Sequence, residues 1–231
     1  MNRFPEELTD IFFDLDHTLW DFEKNSLLTF EKIFSEMDLT IELKHFISFY
    51  NPINHAYWKL YRENQISQEE LRHNRLRDTF SKIHIETTTP MINVISEEYI
   101  KNLSTFPHLF DGAIPLLEKL KNRYRLHIIT NGFDKVQHFK IKNSGLESFF
   151  ENVFTSDIVG FKKPHPQIFK EALKQTQAKA EKSLMIGDSL EADILGALSQ
   201  GMHAIHFNSH KEDHHENCPI IYSLEELHAF F

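Results

Sequence analysis

The chain of 231 residues has one cysteine, Cys218, so no disulfide can form within it, and a reducing compartment suits it. No run of apolar residues is long enough to cross a bilayer. The amino end carries Pro5, Glu6, Glu7 and Asp10 where a leader peptide needs a basic start and an apolar stretch. A cytoplasmic protein is expected. Positive charge is also short: 25 Lys and Arg against 34 Asp and Glu give a formal charge of -9. That balance argues against a nucleic-acid polymer or an anionic membrane as partner, so an anionic substrate would need a local cationic site. Glycine is the most informative shortage. The seven glycines all lie between Gly112 and Gly201, and none lies between the opening strand and Asp111, which implies two architectures in one chain.

What is present fits that division. From about Trp20 to Thr105 the apolar residues recur at steps of three and four. Leu27, Phe30, Phe34 and Met37 mark one helix, and Phe46, Phe49, Ile53, Tyr57, Leu60 and Tyr61 a second that Pro52 is expected to kink or interrupt. Ser67 with Glu70 resembles a capping box opening a third helix that runs to about Ile83, and a fourth starts near Met91 after Thr87-Thr88-Thr89-Pro90. From Phe106 the rhythm becomes strand, turn, helix. Apolar strands are expected at Leu126–Ile129, Val153–Phe154, Ser183–Ile186 and His203–His206, with helices at Ile114–Leu120 (started by Asp111 and Pro115), Gln167–Gln175 and Glu191–Gln200, and a closing helix over Leu224–Phe231. The expected fold is α/β: a Rossmann-like parallel sheet with helices on both faces, built from residues 1–19 and 106–231, into which a helical cap of residues 20–105 is inserted.

The sheet would be organised around Ile11-Phe12-Phe13-Asp14-Leu15-Asp16-His17-Thr18-Leu19, an apolar strand ending in two acids. Residues two apart on a strand share a side, so Asp14 and Asp16 can converge at the strand's carboxyl end, where open α/β sheets bind ligands. An Asp-rich turn or a helix cap is the plain alternative. Downstream strand ends add Thr130 with the Asn131 and Gly132 amides, then Lys163, then Asp188 with Asp193. Each has an ordinary reading as a turn, a solvated lysine pair with Lys162, or acids at a helix start. Their order and their repeated placement at strand ends carry the functional one.

These residues resemble the four motifs of the haloacid dehalogenase superfamily. Asp14-Leu15-Asp16-His17-Thr18 matches the first, Thr130 the second, Lys163-Pro164 the third, and Gly187-Asp188-Ser189-Leu190-Glu191-Ala192-Asp193 the acidic fourth, together spanning nearly the whole chain. The resemblance implies that Asp14 is a nucleophile toward phosphorus, being ionised at neutral pH without help from a base. Asp16 would protonate the leaving alkoxide and later deprotonate the hydrolytic water. Lys163 would neutralise the nucleophile and the transferring phosphoryl group, whose oxygens Thr130, Asn131 and Gly132 would hold. Like charges ~4 Å apart repel by roughly 4 kcal/mol at an effective dielectric of about 20, so clustered Asp14, Asp188 and Asp193 call for a cation. Mg²⁺ suits an all-oxygen site, and the resemblance implies as ligands the Asp14 carboxylate, the Asp16 carbonyl and the Asp188 carboxylate, with Asp193 behind them.

The following stretch, Trp20-Asp21-Phe22-Glu23-Lys24-Asn25-Ser26, is similar to the bacterial house-cleaning 5'-nucleotidases that act on pyrimidine nucleoside monophosphates. A cap inserted there can exclude water and choose the leaving group. Trp20, Phe22 and Tyr61, with Tyr57 and Trp58, are candidate platforms for a base, against a core role for aromatics in a helical bundle. The His210–His215 tract reads as a polar surface loop in preference to a metal site. The expected activity is therefore a Mg²⁺-dependent phosphatase of a small phosphorylated substrate, a nucleotide first. The alternatives are a sugar-phosphate or phosphoglycolate phosphatase, a metal-independent 2-haloacid dehalogenase, and a non-catalytic binding module.

Overall fold

The computed structural model describes residues 7–231; Pro5 and Glu6, read above as part of the amino end, lie outside the described residues. The chain divides into two compact units, one made of residues up to Phe22 with Pro107–Phe231, the other of Glu23–Phe106. The division falls at 22/23 and 106/107, against 19/20 and 105/106 expected from sequence. Backbone pairing explains the amino-terminal shift: Trp20 bridges Asp16 and Leu109, and the Asp21 N–H donates to the His108 carbonyl at 3.1 Å, so these residues belong with the sheet unit.

The helical unit is built from α1 (Phe22–Glu36), α2 (Leu43–Arg62), α3 (Gln68–Lys82) and α4 (Thr89–Leu103). Ser67 accepts from the Glu70 N–H and Glu70 returns the bond to the Ser67 N–H, the capping box expected at the start of α3. Pro52 does not interrupt α2, which runs for 20 residues. One missing backbone donor costs less than packing returns here, because Phe46, Tyr50, Asn54 and Tyr61 are buried on both sides of the proline. The core is aromatic: the Phe30 ring lies 4.8 Å from Phe46, 4.7 Å from Tyr50 and 4.7 Å from Tyr99. Arg75 is buried among these rings, with its guanidinium 5.0 Å from the Tyr99 centroid and donating to Asn54 Oδ1 at 2.7 Å.

Among the described residues the sheet unit has six strands: β1 (Asp10–Phe13), β2 (Arg125–Thr130), β3 (Asn152–Thr155), β4 (Ser183–Gly187), β5 (His203–Phe207) and β6 (Ile220–Ile221). All pairs are parallel and the order is β3-β2-β1-β4-β5-β6. The two-residue β6 was not foreseen, being too short to show periodicity. Around the sheet run α5 (Ala113–Leu120), α6 (Asp134–Asn143), α7 (Ser156–Val159) and α8 (Pro166–Thr176). Gly112 at φ 82°, not Asp111, precedes α5, since the backbone there takes a left-handed turn that glycine tolerates. The expected helix over Glu191–Gln200 is present with shifted bounds, opening as a wide π-helical stretch, Leu190–Leu195, that runs into α9 (Gly196–Leu198). The closing segment is a 3₁₀ turn, Leu224–Ala229.

The core packs Phe12, Ile129, Phe154, Ile168, Phe169 and Met185, residues from four strands and α8. Phe13 pairs with Ile128 on one side and Ile186 on the other, so the next residue, Asp14, emerges between the carboxyl ends of β2 and β4. The chain continues outward in one direction through β2 and β3 and in the other through β4, β5 and β6. β1 and β4 thus flank the point where the topology reverses, the usual ligand crevice of such sheets.

Candidate active site

Asp14, Lys163 and Asp193 are 7%, 2% and 1% exposed, three ionisable groups taken almost wholly out of water. Their cost is offset by mutual contact. Lys163 Nζ donates to Asp14 Oδ1 at 2.5 Å and to the Ile129 carbonyl at 2.6 Å, and forms an ion pair with Asp193 Oδ1 at 2.6 Å. Asn131 sets the lysine's backbone: its Oδ1 accepts from the Lys163 N–H at 2.7 Å and its Nδ2 donates to the Lys163 carbonyl at 2.9 Å. Lys163, rather than Lys162, is the lysine brought to Asp14.

Asp188 completes the cluster, with one carboxylate oxygen from each of Asp14, Asp188 and Asp193 lying within 4.8 Å of the others. Thr18 Oγ1 donates to Asp188 Oδ1 at 3.3 Å, and His210 Nε2 lies 3.2 Å from Asp188 Oδ2. Asp193 Oδ2 accepts from the Ser189 N–H at 3.0 Å and presses against Gly187, where a Cβ would sit 2.3 Å from that oxygen. A side chain at Gly187 would push Asp193 away from Lys163.

The electrostatics are unbalanced. Burial pushes the Asp14 carboxyl well above the usual carboxylate range; Lys163 pulls it down, while Asp193 and Asp188 push it further up. Asp188 is raised as well, by burial first, with His210 opposing and Asp193 adding to the rise. Burial works against the Lys163 charge, but Asp14 and Asp193 together hold its ammonium above the ordinary value. Three carboxylates thus share one buried ammonium. Their oxygens are hard donors of the kind Mg²⁺ takes, and with Asp193 paired to Lys163 two carboxylates remain, so the donor set fits a divalent cation that would relieve the excess negative charge.

At the end of β2 the Thr130 hydroxyl accepts from the Gly132 N–H at 3.1 Å and from Gln137 Nε2 at 2.7 Å, which leaves its own proton to donate. The sequence reading gave Asn131 and Gly132 to phosphate. That reading concerned their main-chain amides: the Gly132 N–H is turned to the Thr130 hydroxyl, while the Asn131 side chain, which the reading did not address, clamps the Lys163 backbone. Gly132 is required by its neighbour: a Cβ there would lie 2.3 Å from the Gln137 side chain.

Asp16 is paired with Lys140, Nζ to Oδ1 at 2.6 Å, and accepts from Gln137 Nε2 at 3.0 Å. Lys140 is itself buried, its ammonium 4.3 Å from the Trp20 ring centroid and 5.4 Å from that of Phe22. Trp20 and Phe22, expected as platforms for a base, are buried and pack around this ammonium, whose charge the ring faces attract. Tyr61 is buried too, in the helical unit.

Sequence reasoning missed Gln137, Lys140 and His206, and singled out His210 without foreseeing its contact with Asp188. Gln137 and Lys140 are three apart on α6 directly after the Thr130-Asn131-Gly132 loop, a spacing that puts them on one helix face and was the available signal. The His210–His215 tract is more than a polar surface loop: His210 reaches the Asp188 carboxylate, and His215 reaches the fully buried His206.

Comparison with known proteins identifies the family. The family model described as haloacid dehalogenase-like hydrolase matches residues 11–207. The chain is 32% identical over 222 residues to the pyrimidine 5'-nucleotidase PynA of Streptococcus pneumoniae, covering 94% of this chain and 92% of that protein. It is 35% identical over 208 residues to a glyceraldehyde 3-phosphate phosphatase of Methanothermobacter thermautotrophicus, covering 87% and 86%. Among solved structures, the magnesium-bound HAD-hydrolase YfnB of Bacillus subtilis superposes with a TM-score of 0.86 at 28% identity, over 97% of this chain and 98% of that one.

Proposed function

Since the chain belongs to the haloacid dehalogenase-like hydrolases and is a phosphoric monoester hydrolase, we propose that it cleaves nucleoside 5'-monophosphates with Mg²⁺ through a phosphorylated Asp14. The observation that carries this reading is the burial of Lys163 between Asp14 and Asp193 with Asp188 beside them. A stability-driven core would not gather three acids around one lysine, because the surplus charge is costly until a cation arrives.

Asp14, Asp188 and the Asp16 main chain would hold the metal, which when bound neutralises the carboxylates and the phosphate oxygens. Asp14 attacks phosphorus from the end of β1, and the ester oxygen leaves with a proton from Asp16. Water then cleaves the acyl phosphate, with Asp16 taking back a proton. In the geometry seen, both Asp16 oxygens accept, from Lys140 and from Gln137, so this role calls for the side chain to rotate away from Lys140 and take up a proton from solvent before it meets the leaving oxygen. Lys163 stays with Asp14 throughout and balances charge on the moving phosphoryl group, while Thr130 donates its remaining proton to a phosphoryl oxygen.

The nucleotide is favoured by the likeness to PynA, and a triose phosphate is the second reading, favoured by the archaeal relative. A haloacid is disfavoured by Asp16, since a departing halide needs no proton. A phosphate-release screen over UMP, dTMP, AMP, glyceraldehyde 3-phosphate and phosphoglycolate, with chloride release measured from 2-chloropropionate as the haloacid, tests all of these. Pyrimidine nucleotides are expected to lead, with turnover abolished by EDTA. Dehalogenation that survives EDTA would overturn the phosphatase reading, and a triose phosphate in first place would overturn the nucleotide one.

A further inference from the structure

The acidic cluster is approached from behind by a chain of imidazoles that the proposed chemistry does not use. His206 lies on β5 opposite Gly187 and is wholly buried. Its Nε2 is 2.7 Å from the Asp188 main-chain carbonyl, and its Nδ1 is 2.9 Å from His215 Nε2. His215 Nδ1 in turn lies 3.3 Å from the Asn217 N–H.

The two ends of this chain fix every proton in it. A peptide N–H can only donate, so His215 Nδ1 accepts from Asn217 and the His215 proton sits on Nε2. His215 Nε2–H therefore donates to His206 Nδ1, which leaves the His206 proton on Nε2. A carbonyl can only accept, and His206 Nε2–H meets the Asp188 oxygen. One assignment satisfies all three bonds, with His215 and His206 each donating from Nε2 and accepting at Nδ1. The rings lie edge to edge and close to coplanar, with centroids 5.1 Å apart and planes 19° from parallel, as a ring-to-ring hydrogen bond requires.

The loop that supplies His215 is closed on itself. Asn208 Nδ2 donates to the Glu212 carbonyl at 2.9 Å and Asn208 Oδ1 accepts from the Glu212 N–H at 2.7 Å. The same loop carries His210 to the Asp188 carboxylate. One loop thus grips Asp188 twice, at its carboxylate directly and at its peptide group through His206.

We propose that His206 and His215 form a positioning relay for Asp188, holding its peptide plane so that the carboxylate is presented to the divalent cation alongside Asp14. The proposal rests on the reading of Asp188 as a metal ligand. Neither histidine touches substrate. The tether limits rotation of the residue that follows β4, and a ligand held in place before the metal arrives loses less freedom on binding it.

Two measurements on the full chain test this. Nitrogen–proton correlation spectra of the histidine side chains in metal-free protein are expected to show His206 and His215 as neutral Nε2–H tautomers; Nδ1 protonation of either overturns the relay. Magnesium titration by calorimetry is then compared across variants. Loss of the second shell of a metal site typically weakens affinity by about 10-fold or more, and that is the expected effect of His215→Phe and of His206→Phe. His206→Gln, which keeps an N–H near the Nε2 position, is expected to restore most of the affinity, and the kcat of His215→Phe at saturating magnesium to stay near wild type. If His206→Phe does not fold, His215→Phe decides, and wild-type affinity in that variant overturns the proposal. The metal reading is checked separately: absence of magnesium binding by wild type, or its survival in Asp188→Asn, removes the premise and the proposal with it.

Discussion

Asp10 and Asp14 stand four residues apart, at the two ends of the same strand, and their surroundings drive them in opposite directions. Asp10, at the amino end, accepts from Thr9 Oγ1 at 2.6 Å, lies 2.8 Å from the Arg125 guanidinium, and meets His127 Nε2 at 3.0 Å. Burial acts to raise its carboxyl, but His127, Thr9 and Arg125 outweigh that and hold it below the ordinary value. Asp14, at the carboxyl end, shares one lysine with Asp193 and faces Asp188, and is pushed up. The amino-end cluster is satisfied by the protein itself and acts as a staple between β1 and β2. The carboxyl-end cluster is left short of positive charge. A fold keeps such a deficit where binding of a cation and a substrate relieves it.

Asp14→Asn is the largest expected break in the comparison. Loss of a nucleophile costs about 10⁴-fold or more in turnover, with the fold intact by circular dichroism because one repelling charge has gone; substantial residual activity would contradict a covalent route. Lys163→Met comes next. Removing one partner from a buried pair costs about 3–5 kcal/mol, since Asp14 and Asp193 then have no buried cation, and denaturant unfolding in EDTA measures it. Magnesium itself sharpens the contrast: at 100 times its dissociation constant a ligand stabilises by about 2.7 kcal/mol, so Tm should rise in wild type and in Asp10→Asn but not in Asp188→Asn.

Asp10→Asn is the smallest break, expected to lower stability by about 1–3 kcal/mol while leaving turnover per folded molecule unchanged. Its pH dependence follows from the direction of the shift. A carboxyl held low in the folded state stabilises fully above its unfolded value, about 3.9, and loses that contribution as pH falls through the lower folded value. Wild type should therefore lose its advantage over Asp10→Asn as pH is lowered below about 4, read as the difference in Tm between the two proteins; a difference that persists into stronger acid would count against the staple.

Most of the sheet was legible because its strands are short apolar runs bounded by turn residues, and β1, β2, β4 and β5 fall where those runs lie. The capping box at Ser67 and Glu70 was legible for the same local reason. Whether Pro52 would interrupt α2 was not legible, because a residue's own preference says nothing of the packing on either side of it, and β6 was missed because two residues carry no period.

The sequence by itself determined which residues carry charge at the strand ends: Asp14, Asp16, Lys163, Asp188 and Asp193 are placed by the end of an apolar run or by a motif, both local features. Only the tertiary structure decided what each one meets. Asn131 turns to the Lys163 backbone, Trp20 and Phe22 close around Lys140, Lys140 holds Asp16, and His206 reaches Asp188. These partners come from different elements, up to 124 residues apart between Asp16 and Lys140. Strand order and register alone bring them together, and no local pattern encodes either.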